Sequence, residues 1–223
     1  QNVVYASTYN KVKKVIALST DKASSPINLY GATKLCSDKL FISSNNFFGK
    51  RQFVVVRYGN VAGSRGSVLP LFIDQAKKNE FTVTDPKMTR FNISLERGIK
   101  TVEWTVNNCL GGEIVVPKIK SYKILDVINS FSNKPKIKTI GIRFGEKIHE
   151  EMISIHDSKN TYKIGDYYVI LPHGDKKILN FYRSKTKSKK VESNFSYTSD
   201  GNKEFMTISE IKKTVNEIVK KII

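Results

Sequence analysis

Tyr30 and Lys34 stand four residues apart, so on a helix they share one face. A lysine ammonium beside a tyrosine favours the phenolate, and such a pair can take a proton from an alcohol and return it. The spacing alone carries little weight, because on many helices a packed tyrosine and a solvated lysine fall four apart by chance. The surroundings add to it. Ser19, Thr20, Asp21 and Lys22 supply two hydroxyls, a carboxylate and an amine just upstream. Further on, Tyr58-Gly59-Asn60-Val61-Ala62-Gly63-Ser64-Arg65-Gly66 is a glycine-rich loop.

These segments need elements to position them. Val15-Ile16-Ala17-Leu18-Ser19 is a short apolar run ending in a polar residue, the pattern of a buried parallel strand. Pro26 and Asn28 supply a stop and an N-cap, and a helix is predicted from Leu29 to Asn45. Phe53-Val54-Val55-Val56 reads as a second buried strand that runs into the glycine loop. Strand, helix, strand implies a right-handed parallel crossover, and two such units in succession imply a doubly wound sheet. In open parallel sheets ligands bind at the carboxyl ends of the strands. Thr20 to Lys22, the start of the helix and the Tyr58 loop all fall at that edge.

Beyond Pro70 the pattern predicts helices near Leu71 to Lys78, Leu95 to Cys109, Ile124 to Phe131 and Ile208 to Lys221. Short strands are predicted near Glu113 to Val116, Lys136 to Ile140 and Tyr167 to Leu171. The stretch from Ser154 to Asn202 is polar and rich in lysine, and is expected to be a long surface excursion.

The stretch VIALSTDKASSPINLYGATKLCSDKLF (Val15 to Phe41) closely resembles the inverting UDP-N-acetylglucosamine 4,6-dehydratases of the extended short-chain dehydrogenase/reductase family. So do RYGNVAGSRGSVLP (Arg57 to Pro70), MTRF (Met88 to Phe91), GGEIVVPK (Gly111 to Lys118) and GIRFGEKIHEEM (Gly141 to Met152). The matches run in order over most of the chain and weaken after about Ile155. Thr20, Tyr30 and Lys34 match the family's serine/threonine, tyrosine and lysine. Retaining nucleotide-sugar dehydratases carry Asp-Glu where this chain has Asp21-Lys22, and larger membrane-bound relatives often carry methionine at Tyr30.

The resemblance implies a division of labour. Tyr30 would take the C4 hydroxyl proton of the sugar while a nicotinamide accepts hydride. Lys34 would hold the nicotinamide ribose, and Thr20 would hydrogen-bond the reacting oxygen. Asp21 would be the acid for the departing C6 hydroxyl and Lys22 the base at C5. Tyr30, Lys34, Tyr58, Gly59, Asn60 and Val61 would contact the cofactor, NADP with NAD as the other candidate. Asn60, Arg90, Arg143 and Glu146 would hold the substrate, UDP-N-acetylglucosamine, with the two guanidinium groups on the diphosphate and Glu146 on the nucleoside ribose. His149, His156 and His173 have no metal-ligand spacing, and no metal is expected.

The implied fold is α/β. It comprises the C-terminal part of a doubly wound, Rossmann-like parallel sheet and a smaller mixed α/β substrate-binding region. Residues 1–112 are assigned to the C-terminal half of the NADP-binding domain, with part of the substrate region from about residue 64. Residues 113–223 are assigned to the substrate-binding region and C-terminal tail. The family's G-x-x-G-x-x-G turn has no counterpart here, and Gln1 to Ala6 read as the middle of a helix. Roughly 100 residues of nucleotide-binding half are therefore expected upstream.

Composition narrows the alternatives. The 223 residues are 39% hydrophobic with 10% aromatics, a soluble globular balance without any apolar run of membrane-spanning length. Cys36 and Cys109 are far apart and in no metal spacing, which suits a reducing cytoplasm. The net charge of +18 raises nucleic-acid binding, but the lysines are dispersed apart from Lys185, Lys187, Lys189 and Lys190. With no nucleic-acid motif beside them, that field is better matched to a diphosphate. The expectation is a cytoplasmic enzyme, homo-oligomeric when complete, with neither membrane nor nucleic acid as partner. A UDP-sugar 4-epimerase is the alternative, needing Tyr30 and Lys34 but not Asp21 and Lys22. An inactive sugar-nucleotide-binding fragment is another.

Overall fold

The computed structural model describes residues 1–47, 53–64, 66–184 and 188–222; Arg65 of the glycine loop and Lys185 and Lys187 of the lysine cluster lie outside the described residues. The chain forms two units. One comprises residues 1–58, 96–118 and 151–197, the other residues 59–95, 119–150 and 198–223.

In the first unit α1 (Asn2–Tyr9) precedes β1 (Val15–Thr20), α2 (Leu29–Phe47) and β2 (Phe53–Tyr58). The predicted cap forms: Gly31 N–H donates to Asn28 Oδ1 at 2.8 Å. β1 pairs parallel with β2, in register from Val15 opposite Phe53 to Thr20 opposite Tyr58. Phe53 to Val56 are fully buried, as a continuous apolar run requires in a sheet covered on both faces.

The second unit opens with β3 (Asn60–Val61), α3 (Val68–Ala76), β4 (Glu80–Val83) and β5 (Thr89–Ile93). The chain then returns to the first unit through α4 (Leu95–Asn108) and β6 (Ile114–Pro117), which pairs parallel with β2. The second unit is completed by β7 (Ser121–Lys123), α5 (Ile124–Phe131), β8 (Lys136–Thr139) and, at the C-terminus, α7 (Ile208–Ile222). Between these last two, the chain again serves the first unit with β9 (Glu151–Ile153), β10 (Thr161–Ile164), β11 (Tyr167–Ile170), α6 (Lys176–Ser184) and β12 (Ser188–Lys190).

The main sheet has the order β1-β2-β6-β11-β10-β12. Its first three strands are parallel, as the strand-helix-strand reading requires, and its last three run antiparallel. The second of these groups corrects one expectation, because Ser154 to Asn202 is not a surface excursion. β11 extends the sheet against β6, and Val169, Ile178 and Tyr182 are fully buried. The lysines obscured this. A half-buried antiparallel strand needs an apolar residue only at alternate positions, and Ile178 and Tyr182 place one helical face inward at four-residue spacing.

The second unit has its own core. Ile124, Val127 and Ile128 of α5 pack with Ile211, Val215 and Ile218 of α7 and with Phe72 and Phe81. α7 begins with a capping box in which Thr207 N–H donates to Glu210 Oε2 at 2.9 Å and Glu210 N–H donates to Thr207 Oγ1 at 3.2 Å. The Lys120 ammonium, and after it the Thr207 N–H, hold the Glu210 carboxyl down to about 2. A carboxyl lowered by folding adds stability above its ordinary value of 4.5 and loses it as pH falls through 2. The melting-temperature gap between the parent protein and Glu210→Gln should be widest near neutrality. It should close as pH falls below 4.5 toward 2, as thermal unfolding at a series of pH values would show. The pair is exposed, so added salt should narrow the gap as well.

Candidate active site

The carboxyl end of β1 gathers the acid–base candidates. Thr20 ends the strand and caps a single 3-10 turn, Asp21–Ala23, its Oγ1 accepting from Lys22 N–H at 3.4 Å. The same hydroxyl donates to Asp21 Oδ1 at 2.9 Å, and Lys22 Nζ donates to that oxygen at 3.1 Å. Asp21 is fully buried, whereas the Lys22 side chain is 31% exposed. The second carboxylate oxygen, Asp21 Oδ2, is buried and has no hydrogen-bond partner among the described residues. Leaving such an atom unsatisfied costs about 1–3 kcal/mol, and native structures keep few of them outside functional sites.

Tyr30 lies in the first turn of α2 with its side chain largely exposed. Lys34 follows one turn later, and its Nζ donates to the Leu18 carbonyl at 2.7 Å, anchoring the ammonium at the same strand end. Tyr58 ends β2 in register with Thr20. Burial pushes its phenol above the ordinary tyrosine value, so Tyr58 keeps its proton near neutrality and remains a hydrogen-bond donor.

Beneath this edge lies a buried ionic network absent from the sequence reading. Asp38 Oδ2 accepts from Ser19 Oγ at 2.9 Å and from Arg57 Nη2 at 3.1 Å. Arg57 Nη1 also donates to the Met152 carbonyl at 3.0 Å. Each member adjoins a candidate: Ser19 precedes Thr20, Arg57 precedes Tyr58, and Asp38 lies one helical turn beyond Lys34. Only the position of Arg57 at the head of RYGNV hinted at it.

The second unit holds the substrate candidates. Asn60, Arg90, Arg143 and Glu146 all line one cavity of about 580 Å³. Gly66, Ser67 and Val68 line it too, so the start of α3 forms part of its wall. Asn60 and Val61 form β3, parallel to β5, and Gly59 precedes them. Arg143 is exposed. Arg90 is mostly spoken for, donating through Nη1 to the Thr89 and Ile148 carbonyls at 2.7 and 2.8 Å and through Nη2 to Lys147 at 3.0 Å. It thereby fastens the loop that carries Arg143 and Glu146, with Glu146 Oε1 at 3.8 Å from its Nη2. Thr20, Asp21, Lys22, Tyr30, Lys34 and Tyr58 are thus gathered in the first unit, and Gly59, Asn60, Val61, Arg90, Arg143 and Glu146 in the second.

His149 bonds through Nδ1 to the Thr89 hydroxyl at 2.8 Å, a packing role. Among the described residues no group of three or more histidine, cysteine or acidic side chains is placed to hold a metal. No described helix is long and apolar enough to cross a membrane.

Residues 1–172 match the family described as polysaccharide biosynthesis protein. The chain is 48% identical over 225 residues to the inverting UDP-N-acetylglucosamine 4,6-dehydratase of Campylobacter jejuni, an alignment covering 97% of this chain and 67% of that one. It is 39% identical over 221 residues to a UDP-glucose 4-epimerase of Rickettsia bellii, covering 96% and 64% respectively. Pen from Bacillus thuringiensis, a crystal structure, superposes with a TM-score of 0.81 at 33% identity over 100% of this chain and 67% of its own.

Proposed function

We propose, because this chain belongs to the polysaccharide biosynthesis protein family of extended short-chain dehydrogenases/reductases, that the complete enzyme is an inverting UDP-N-acetylglucosamine 4,6-dehydratase of the cytoplasm. The observation that carries this reading is the Asp21–Lys22 pair, a buried carboxylate and a lysine 3.1 Å apart at the sheet edge that also presents Tyr30. Oxidation at C4 needs one acid–base group. Loss of water across C5 and C6 needs a second base and a second acid, which an epimerase does not.

In this reading Tyr30 takes the C4 hydroxyl proton and Thr20 hydrogen-bonds the same oxygen. The exposure of Tyr30 and the anchored Lys34 suit the nicotinamide end of NADP or NAD, with Tyr58, Gly59, Asn60 and Val61 as further contacts. That cofactor supplies a hydride acceptor at C4 and a hydride donor at C6. The C4 ketone acidifies the C5 hydrogen; with the proton that the pair shares resting on Asp21, Lys22 is the neutral amine that removes it. Asp21 gives a proton to the leaving C6 hydroxyl, a use that accounts for its otherwise unpartnered Oδ2. Hydride taken from C4 returns to C6 and C5 takes a proton on the opposite face; the two protons gained by Tyr30 and Lys22 offset that one and the one given by Asp21, so the net change is loss of one water. In the second unit the cavity suits a nucleoside diphosphate. Helix N-termini attract phosphate, and Arg143, with what remains of the Arg90 fork, adds cationic donors, while Asn60 and Glu146 reach sugar or ribose hydroxyls.

The full-length enzyme given UDP-N-acetylglucosamine should yield a 4-keto-6-deoxy sugar with C5 inverted, identified by NMR. A product with C5 retained would overturn the inverting assignment. Interconversion of C4 epimers without loss of water would favour the epimerase reading that the Rickettsia bellii relative keeps open.

A further inference from the structure

The turn between β1 and α2 carries Asp21 and Lys22 at its start and delivers Tyr30 at its end. Two contacts outside the roles assigned above fix its shape. A single carboxylate oxygen, Glu151 Oε2, accepts from Ser24 Oγ at 2.9 Å and from Ser25 Oγ at 2.6 Å. Ser25 has φ +44°, a left-handed conformation that a serine keeps only when its surroundings impose it. Glu151 comes from β9, 126 residues along the chain from Ser25, so the clamp is a tertiary device. On the other side, a Cβ on Gly31 would stand 2.3 Å from the Lys22 carbonyl oxygen and 3.0 Å from Pro26 Cβ. The first turn of α2 therefore presses on the backbone of Lys22 as closely as only glycine permits.

We infer that Glu151 is a positioning residue that, through Ser24 and Ser25, sets the Asp21–Lys22 pair at its working distance from Tyr30, and that this spacing serves elimination rather than oxidation. The inference rests on the dehydratase reading for its chemical half. Its physical half is independent of that reading. Releasing Glu151 shifts the Lys22 turn, while Tyr30 and Lys34 stay on a helix whose cap, Gly31 N–H on Asn28 Oδ1, does not involve Glu151. Removal of the C5 proton then suffers and hydride transfer at C4 does not. Catalytic groups displaced by about 1 Å lose up to about a hundredfold in rate.

Two variants of the full-length enzyme, Glu151→Ala and Glu151→Gln, test this by two readouts. The first is amide hydrogen exchange across Asp21 to Asn28 without substrate. Glu151→Ala should speed exchange there, and Glu151→Gln, whose amide oxygen still accepts both hydroxyls, should not. The second is single-turnover kinetics with UDP-N-acetylglucosamine. Glu151→Ala should slow C5–H exchange and water loss by about ten- to a hundredfold. Cofactor reduction and substrate KM should stay near the parent values, and Glu151→Gln should restore elimination. Unchanged amide exchange in Glu151→Ala overturns the clamp. Faster amide exchange with elimination at the parent rate overturns its role in positioning, as does an equal loss of cofactor reduction and elimination. If the parent enzyme itself releases no water, the dehydratase reading fails, and the exchange data still decide whether the clamp exists.

Discussion

Lys22→Ala in the full-length enzyme is expected to slow water loss by about a hundred- to ten-thousand-fold, the usual worth of a general base. Hydride transfer at C4 should continue, because Tyr30 and Lys34 lie on α2 and owe neither their helix cap nor the Leu18 anchor to the Lys22 side chain. Reduced cofactor and a 4-keto sugar should then accumulate in a single turnover, followed by absorbance, while deuterium uptake at C5 falls. Tyr30→Phe should give the opposite pattern, with no reduced cofactor at all. Because Lys22 also pairs with Asp21 at 3.1 Å, a companion variant separates the two roles. Asp21→Asn keeps the volume but removes the acid, so C5–H should still exchange with solvent while departure of the C6 hydroxyl stops. Exchange at C5 at the parent rate in Lys22→Ala would remove Lys22 from the role of base.

The second large effect is on stability. Asp38→Ala is expected to destabilise the protein by about 3–5 kcal/mol, the typical result of removing one partner from a buried ion pair. Asp38 and Arg57 are 2% and 4% exposed at their side chains, so the guanidinium would lose its close carboxylate without gaining water. Ser19 would lose its acceptor as well. Against a total stability of about 5–15 kcal/mol this is a large fraction. The paired replacement Asp38→Leu with Arg57→Met should cost less than Asp38→Ala alone, since no charge is then stranded. Chemical denaturation of the three proteins measures this. A loss below about 1 kcal/mol for Asp38→Ala would mean that Arg57 is held instead by Asp157, now 3.9 Å away, and by the Met152 carbonyl.

Much of the local structure was legible because the signals are local. Asn28 before an amphipathic run announces a helix start, Phe53 to Val56 announce a buried strand, and Ile124–Phe131 has the predicted bounds. The candidate acid–base groups were legible for the same reason. Thr20, Asp21, Lys22, Tyr30 and Lys34 fall within one strand–turn–helix, whose connectivity alone brings them to one strand end. The family resemblance, carried by motifs spread from Val15 to Met152, is borne out by the matched family and by the Campylobacter jejuni relative. In the polar, lysine-rich stretch from Ser154 to Asn202 only β11 was anticipated, at Tyr167 to Leu171; β10, β12 and α6 were hidden in a segment that composition marked as surface.

The sequence by itself determined which chemistry is available and which short segments carry it, because capping, periodicity and strand patterning act over a few residues. Tertiary structure decided which distant groups meet. Asp38 finds Arg57 across 19 residues, and Ser24 finds Glu151 across 127. Arg90, expected as a phosphate clamp, spends most of its donors on carbonyls at Lys147 and Ile148. The chain passes repeatedly between two units, so neither core is a contiguous stretch of sequence. None of this is encoded in local spacing. A buried charge or orphan carbonyl takes whatever partner the packed elements bring within about 3 Å, and that choice is made only when the strands and helices dock.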